Sequence, residues 1–416
     1  MSRTEGINLE NESKKLKTDL PSDWEYTSIG ECGLWKGGGT PSKSKSEFWN
    51  NGTIPWASSQ DISNGDLSTT TYTITKEALY GSTTNLIPSN SVIVVMRSGI
   101  LRHSFPVMKN TIEITINQDL KALIPYESVY YDYVYHQLRL NEKRILNDCS
   151  KTGTTVESIE FNSLKLFCIP LPPKYEQIKI AEILSTWDKA IELKEKLIEE
   201  KKNQKTGLMQ KLLTGKVRLP GFEREWKEVK LGEVIREIKE KTTENNQYQV
   251  LTSSRQGIFL QEEYFKKSVA SSNNIGYKII KNGQFTYRTM SDDGSFKFNR
   301  LMSYDKGIVS PAYVVFEAVN IDPVYLMNLM DDYSFNQYIQ KETQGGTRLS
   351  LKYNALKEFV IIVPSVDEQV AISEVLCTMD KMIELYENEL DYLKEQKKGL
   401  MQLLLTGIVR VNTKDN

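Results

Sequence analysis

The sequence predicts an α+β protein: two pseudo-symmetric domains of mostly antiparallel sheet, separated by two long antiparallel coiled-coil helices. Three observations predict it. The nine residues GLMQKLLTG (Gly207 to Gly215) return as GLMQLLLTG (Gly399 to Gly407), 192 positions later. The residues leading into each copy carry apolar side chains at alternating steps of three and four, the seam of a coiled coil. The stretches ahead of those seams are rich in Thr, Tyr, Val, Ile and Gly, and are cut by Asn-Gly and Asp-Gly turn pairs.

The duplication extends well past nine residues. At an offset of 192, residues 170–218 match residues 362–410 at 26 of 49 positions without a gap. Glu176-Gln177 falls on Glu368-Gln369, Asp188-Lys189 on Asp380-Lys381, and Val217-Arg218 on Val409-Arg410. Further upstream the offset drifts, so that Trp24 resembles Trp226 at 202. The repeating unit is thus a variable block followed by a constant block. The expected division is an N-terminal extension (1–19), a first variable domain (20–170), a first helical spacer (171–218), a second variable domain (219–362) and a second helical spacer (363–411). A period this long, present twice, makes a duplicated domain pair rather than a solenoid. Internal two-fold pseudo-symmetry suits a target that also comes in two halves.

In the variable blocks, SVIVVM (Ser91 to Met96) and GIVSPAYVVF (Gly307 to Phe316) read as strands between turns at Asn51-Gly52, Asn64-Gly65, Asn282-Gly283 and Asp293-Gly294. A helix is expected to close each block, over Tyr130 to Leu146 and Pro323 to Gln340. The loops carry side chains of the kind that read base edges and phosphates. Arg pairs with guanine and Asn or Gln with adenine, while Lys and Ser serve phosphates. In the first block the candidates are Lys36, Lys43, Lys45, Trp56, Ser58, Ser59, Gln60, Arg97, Ser98, Arg102, His103 and Gln118. In the second they are Ser253, Ser254, Arg255, Gln256, Tyr287, Arg288, Lys297, Asn299, Arg300, Tyr313 and Arg348. Each stretch taken singly is an ordinary solvated loop; the signal is their recurrence in blocks that vary while the rods stay constant.

The first constant block predicts a helix from about Tyr175 to Leu213, on the order of 58 Å long at 1.5 Å per residue. Its seam is Leu184, Trp187, Ile191, Ile198, Leu208 and Leu212, with Lys194, Lys201 and Lys205 as polar interruptions. The second seam is Leu376, Met379, Ile383, Tyr386, Leu390, Leu393, Leu400 and Leu404, interrupted by Lys397. Prolines precede both helices, Ser365 to Glu368 has capping-box spacing, and Gly215 and Gly407 stand where a left-handed residue ends a helix. Each seam is expected to pair with its own repeat in an antiparallel rod; the alternative is that each helix caps its own domain. Gly215-Lys216 is no phosphate loop, since no glycine stands five residues earlier and Val217 replaces the Ser or Thr.

Composition narrows the function classes. The 416 residues carry 53 Lys and Arg against 54 Asp and Glu, a net charge of −1, which does not announce a nucleic-acid binder. The N-terminus lacks the apolar core of a signal peptide and no run approaches a membrane span, so a cytoplasmic protein with no membrane partner is expected. Four scattered cysteines without a CxxC, and two histidines, predict neither zinc nor disulfides. No metal site and no catalytic residue is predicted, because no methyltransferase, nucleotide-binding or nucleophile constellation occurs.

The pattern resembles the specificity subunit of type I restriction-modification systems, from about Leu20 to Val411. PLPPKYEQIKIAEILSTWDKAIELKEKLIEEKK leading into GLMQKLLTG, and VPSVDEQVAISEVLCTMDKMIELYENEL leading into GLMQLLLTG, carry the resemblance most specifically. GGGTPSKS, IPWASSQDI, INQDLKALIP, YKIIKNGQFTYR and DKGIVSPAYVVF add to it. The resemblance implies two target-recognition domains, each reading half of a bipartite, asymmetric double-stranded DNA site. It implies paired helices that set the spacer and dock two methyltransferase subunits, to which restriction (motor-nuclease) subunits are added. S-adenosylmethionine, ATP and Mg²⁺ then belong to those partners, with no cofactor on this chain. Two other classes stay open at this point: a coiled-coil scaffold that binds no DNA, and a self-sufficient nuclease or methyltransferase.

Overall fold

The computed structural model describes residues 20–62, 65–151, 156–265, 273–291, 294–342 and 349–412. The chain divides into two compact units, one of residues 1–195 with 389–416, the other of residues 196–388.

The first unit holds β1 (Glu25–Ser28), β2 (Gly33–Gly37), β3 (Ile54–Ala57), β4 (Gly65–Leu67), β5 (Tyr72–Ile74), β6 (Leu86–Ile87), β7 (Val92–Val95), β8 (Val107–Asn110), β9 (Ile114–Ile116), β10 (Leu120–Pro125) and β11 (Cys168–Leu171). One sheet runs β2-β10-β7-β8-β4 and a second β5-β3-β9-β6. Neighbours are antiparallel except for β4 with β8 and β3 with β9. The apolar run at β7 is buried along its whole length, as a central strand covered on both faces must be. A core of Val92 to Met96, Phe105, Val107, Leu123 and Leu138 fills the space between this sheet and helix α1 (Tyr131–Leu140). A smaller cluster of Phe48, Trp56, Ile74 and Ala78 supports the second sheet. Strand β1 pairs with β11, so the beginning and end of this domain are tied together.

The second unit holds β12 (Lys227–Lys230), β13 (Ile235–Glu237), β14 (Leu251–Ser254), β15 (Gly257–Leu260), β16 (Lys278–Lys281), β17 (Phe285–Arg288), β18 (Met290–Ser291), β19 (Asn299–Arg300), β20 (Lys306–Val309), β21 (Tyr313–Ala318), β22 (Leu349–Ser350) and β23 (Val360–Val363). Its largest sheet runs β13-β21-β17-β19 and is antiparallel throughout. Phe285, Tyr287, Phe298, Phe316 and Phe335 build an aromatic core over it. Strand β12 pairs with β23 just as β1 pairs with β11, repeating the closure of the first unit.

The expected helix over Tyr130 to Leu146 is two helices. α1 stops at Asn141 (φ −92°, ψ 11°), and a second helix runs over Glu142–Cys149. The Asn141 side chain donates back to the Gln137 carbonyl (2.9 Å), competing with the helix ladder. The expected helix over Pro323 to Gln340 breaks likewise at Asp332, between Pro323–Asp331 and Tyr333–Glu342.

The constant blocks form α2 (Lys174–Leu213) and α3 (Val366–Leu405), each 40 residues. Each helix is shared between the two units. In the first unit, the start of α2 lies antiparallel to the end of α3. Ile180, Ala181 and Leu184 meet Met401, Leu404 and Leu405 there, with Trp24 and Tyr133. In the second unit, the end of α2 meets the start of α3, with Leu212 and Leu213 in one core with Ile372 and Leu376. All fourteen seam residues expected from the heptad are buried or half-buried. Glycine closes both helices in the left-handed region, Gly215 at φ 67° and Gly407 at φ 76°.

The polar interruptions reach carboxylates across the pair: Lys194 to Glu389 (2.6 Å), Lys205 to Asp380 (2.5 Å), and Lys397 to Asp188. Lys201 instead donates to Gln204 one turn on (3.1 Å). Glu368, whose spacing from Ser365 predicts a capping box, turns elsewhere. It takes both arms of Arg218, at 3.1 and 2.7 Å. The repeat makes the same pair with exchanged halves: Arg410 grips Glu176 at 2.7 Å from two nitrogens.

Candidate nucleic-acid interface

In the second unit the candidates converge. Strands β14 and β15 form a hairpin with Arg255 and Gln256 at its two-residue tip, and Gly257 sits beyond it at φ 128°. The Ser254 hydroxyl accepts from the Gln256 amide (3.1 Å) and donates to the Gly257 carbonyl (3.2 Å), fixing the turn. Ser253, Ser254, Arg255, Arg288 and Lys297 line one open cleft of about 340 Å³, with Met290, Ser291, Ser295 and Phe296. Three cations and four hydroxyls therefore face one hollow, which is the donor set that backbone phosphates and guanine edges ask for. Arg255 also donates to the Ser295 hydroxyl (3.0 Å), and Lys297 pairs with Asp331 (2.5 Å).

Other candidates in this unit hold the fold. Tyr287 is fully buried against Phe298 and Phe316, too deep to meet a ligand. Asn299 is also buried. Its amide donates to the Ser253 hydroxyl and the Ser254 carbonyl, both at 2.7 Å, so it braces the cleft from below. The guanidinium of Arg300 donates to the Gly283 carbonyl (3.0 Å), and Tyr313 lies half-buried, its hydroxyl 3.4 Å from that of Thr252. Arg348 lies outside the described residues.

In the first unit the candidates spread over several loops. After β2 the chain passes Gly38 and Gly39 so tightly that a Cβ on Gly38 would fall 1.8 Å from the Ile116 carbonyl oxygen. That close approach requires glycine and launches the exposed loop of Lys43 and Lys45, whose base is tied by Thr40 donating to Gln118 (2.6 Å). Lys36 is half-buried on β2 itself. In PWASSQDI the Ser58 amide and hydroxyl donate to Asp61 (2.8 and 3.1 Å), and Thr71 donates to its other oxygen. Burial pushes the Asp61 carboxyl up, but the bonds from Thr71 and Ser58 outweigh it and hold the group below its ordinary range. Ser58 is thereby used and buried, whereas Gln60 projects into solvent and Ser59 lies between.

Arg97 and Arg102 are exposed but paired, with Asp119 (2.7 Å) and Glu157 (2.5 Å). The bond from Arg102 holds the Glu157 carboxyl below its ordinary value. Exposed ion pairs of this kind are weak, which leaves both arginines within reach of an anionic partner. Ser98 caps the short helix that carries Arg102, and His103 stands exposed at its end.

Trp56 is only 5% exposed, its indole donating to the Gly39 carbonyl (3.0 Å). Even so it lines a cavity of about 420 Å³ with Lys43, Ser46, Trp49, Asn50 and Tyr72. Sequence reasoning passed over Trp49, Asn50 and Tyr72; a tryptophan at the end of a polar, lysine-rich loop, seven residues before Trp56, was the available signal. Among the described residues, no group of His, Cys, Asp and Glu is placed to hold a metal ion, and no helix is long and apolar enough to cross a membrane.

The family described as "Type I restriction modification DNA specificity domain" matches residues 21–202 and again 223–395. Over 164 residues the chain is 44% identical to the type I restriction enzyme EcoR124I/EcoR124II specificity subunit of Escherichia coli, a match spanning 39% of this chain and 41% of that relative. Over 425 residues, 94% of each chain, it is 27% identical to the type I restriction enzyme MjaVIII specificity subunit of Methanocaldococcus jannaschii. The fold is similar to the crystal structure of a type I restriction-modification S subunit from M. genitalium, with a TM-score of 0.55 and 15% identity over 92% of this chain and 96% of that one. A chain from a type I restriction-modification assembly gives a TM-score of 0.57 at 16% identity, over 94% of this chain and 99% of that one.

Proposed function

This chain belongs to the type I restriction-modification DNA specificity family, and from that membership we propose that it is the DNA-reading subunit of a restriction-modification complex. Each unit reads one half of a bipartite, asymmetric site. The observation that carries this reading is the doubled family domain with unlike reading surfaces: a cationic, serine-lined cleft in the second unit and an aromatic cavity beside a lysine loop in the first. Identical surfaces would call for a symmetric site; different ones call for two different half-sites.

The helices α2 and α3 set the spacer between half-sites and dock the methyltransferase subunits. Matched exposed residues support docking of two copies of one partner. Leu193 and Leu385, equivalent in the repeat, are 56% and 61% exposed, and Val217 and Val409 are exposed as well. A leucine left in water at both equivalent positions fits a surface that a partner covers twice. Methyl transfer and cleavage, with S-adenosylmethionine, ATP and Mg²⁺, belong to the partner subunits, and this chain supplies recognition.

The test is to map methylated adenines in cells carrying the partner methyltransferase, with and without this chain. A bipartite motif methylated only in its presence is expected. Turnover by the purified chain alone, given DNA, Mg²⁺ and S-adenosylmethionine, would overturn the division of labour. Failure of the chain with its partner to shift any duplex in a salt-dependent way would leave only a scaffold.

A further inference from the structure

Trp49, Trp56 and Tyr72 stand around the 420 Å³ cavity of the first unit, with Lys43, Ser46 and Asn50 at its edge. The rings meet edge to face: Trp49 and Trp56 with centroids 5.2 Å apart at 86°, Trp49 and Tyr72 6.3 Å apart at 84°, Trp56 and Tyr72 6.4 Å apart at 65°. Both indole N–H groups are spent on the backbone, Trp49 on the Ser42 carbonyl (3.1 Å) and Trp56 on the Gly39 carbonyl (3.0 Å). Phe48, Ile74 and Ala78 back Trp56 from behind. The rings are therefore fixed in place, and what they offer to the cavity is π-surface. Tyr72 remains 50% exposed, so this is a hollow open to ligand and not a closed core.

The chemistry of the rim selects the guest. Three aromatic rings around a hollow would suit a cation, but Lys43 stands at the same edge and repels one. A flat neutral ring attached to an anion satisfies both features. The amide of Asn50 and the hydroxyl of Ser46 add donors and acceptors for a heterocycle edge. The volume falls within the roughly 300–1,000 Å³ of small-ligand sites, far more than one thymine methyl would need. We propose that this cavity takes a single unpaired nucleobase of DNA, stacked on the exposed ring of Tyr72 and met edge to face by Trp49, which stands at 84° to it, with its edge at Asn50 and Ser46 and its phosphate at Lys43. Aromatic side chains accept any base face, so stacking holds the base and the rim reads it. The proposal rests on the DNA-reading function and adds to it: the first unit engages a base outside the helical stack, while the cationic cleft of the second reads paired DNA.

The experiment uses the full chain with its methyltransferase partner and three probes. One is a duplex with one unpaired 2-aminopurine, another the same duplex with that base paired to thymine, and the third the free 2-aminopurine deoxynucleoside monophosphate. The wild-type chain is expected to bind the unpaired duplex about tenfold tighter than the paired one and to quench its fluorescence. Trp49→Ala and, on the exposed side, Tyr72→Ala should bring the ratio of the two duplex affinities to about one and abolish the quenching. Equal affinities of the wild-type chain for the two duplexes, or a preference that survives Tyr72→Ala in a chain of unchanged thermal stability, overturns the proposal. Equally tight binding of the free monophosphate also overturns it, marking a nucleotide site unconnected with DNA. Failure of the DNA-reading function itself shows separately, as no binding of the paired duplex.

Discussion

Glu176 and Glu368 have no solvent exposure, and each is neutralised by an arginine from the far end of the other repeat. Trp24 adds a third bond to Glu176 at 3.1 Å. Glu176 is buried while Arg410 stays 40% exposed, so Arg410→Ala leaves a buried carboxylate short of a donor and should destabilise the first unit by about 1–3 kcal/mol, read as a lower midpoint in chemical denaturation. Lys194→Ala, whose partner Glu389 is exposed, should cost less than about 1 kcal/mol. His136 gives a pH signature. It is fully buried, its Nε2 lies 3.3 Å from the Ser185 hydroxyl, and Asp132, Asp188, Lys109, Arg139 and Lys397 surround it. Burial, then Lys397, Lys109 and Arg139, hold its pKa well below the ordinary 6.5. As pH falls the unfolded chain takes the proton first. The contribution of His136 is therefore complete above about 6.5 and declines by about 1.4 kcal/mol per pH unit below it, until the folded value is reached. His136→Gln should flatten that slope in urea unfolding between pH 7.5 and 5. At the reading surface, Arg255→Ala and Arg288→Ala should each weaken binding about tenfold, the scale of one lost bidentate or phosphate contact, and relax sequence preference in one half-site only.

At the scale of elements, the long helices were the most legible part of the sequence. The heptad pattern identified the helices and favoured pairing over each helix capping its own domain, and the closing glycines mark the ends through a backbone requirement that is local. The breaks at Asn141 and Asp332 were not legible, because apolar spacing continues through them; at Asn141 the side chain bonds back to the Gln137 carbonyl, and at Asp332 the backbone turns to an extended conformation (φ −66°, ψ 145°). The capping-box reading of Glu368 failed for a related reason: the partner that claims its carboxylate, Arg218, lies 150 residues away in sequence. Inserting four residues into α2 after Glu195, with four matched residues in α3 after Asn388, should lengthen each helix by about 6 Å. The methylated motif should then gain about two base pairs of spacer at 3.4 Å per step; an unchanged spacer would mean that the helices do not measure it.

For the whole molecule, the duplication was readable from letters alone, and the α+β, mainly antiparallel architecture followed from period and turns. The proposed reading surfaces were only half readable. SSRQG around Arg255 was readable as a polar loop within one short segment, whereas the cavity of Trp49, Trp56 and Tyr72 joins three separate segments that only folding brings together. Exchanging residues 20–170 for another recognition domain should change one half of the methylated motif and leave the other intact, as read by methylome sequencing.

The composition of the first unit has a bearing on biosynthesis. Ile180 and Leu184 find Met401 and Leu404, and Glu176 finds Arg410, only in the last stretch of chain. Residues 196–388, by contrast, form the second unit without a break. On the ribosome, the second unit can therefore close once residue 388 has emerged, and the first must wait for residues 401–410 before its apolar helix face is covered.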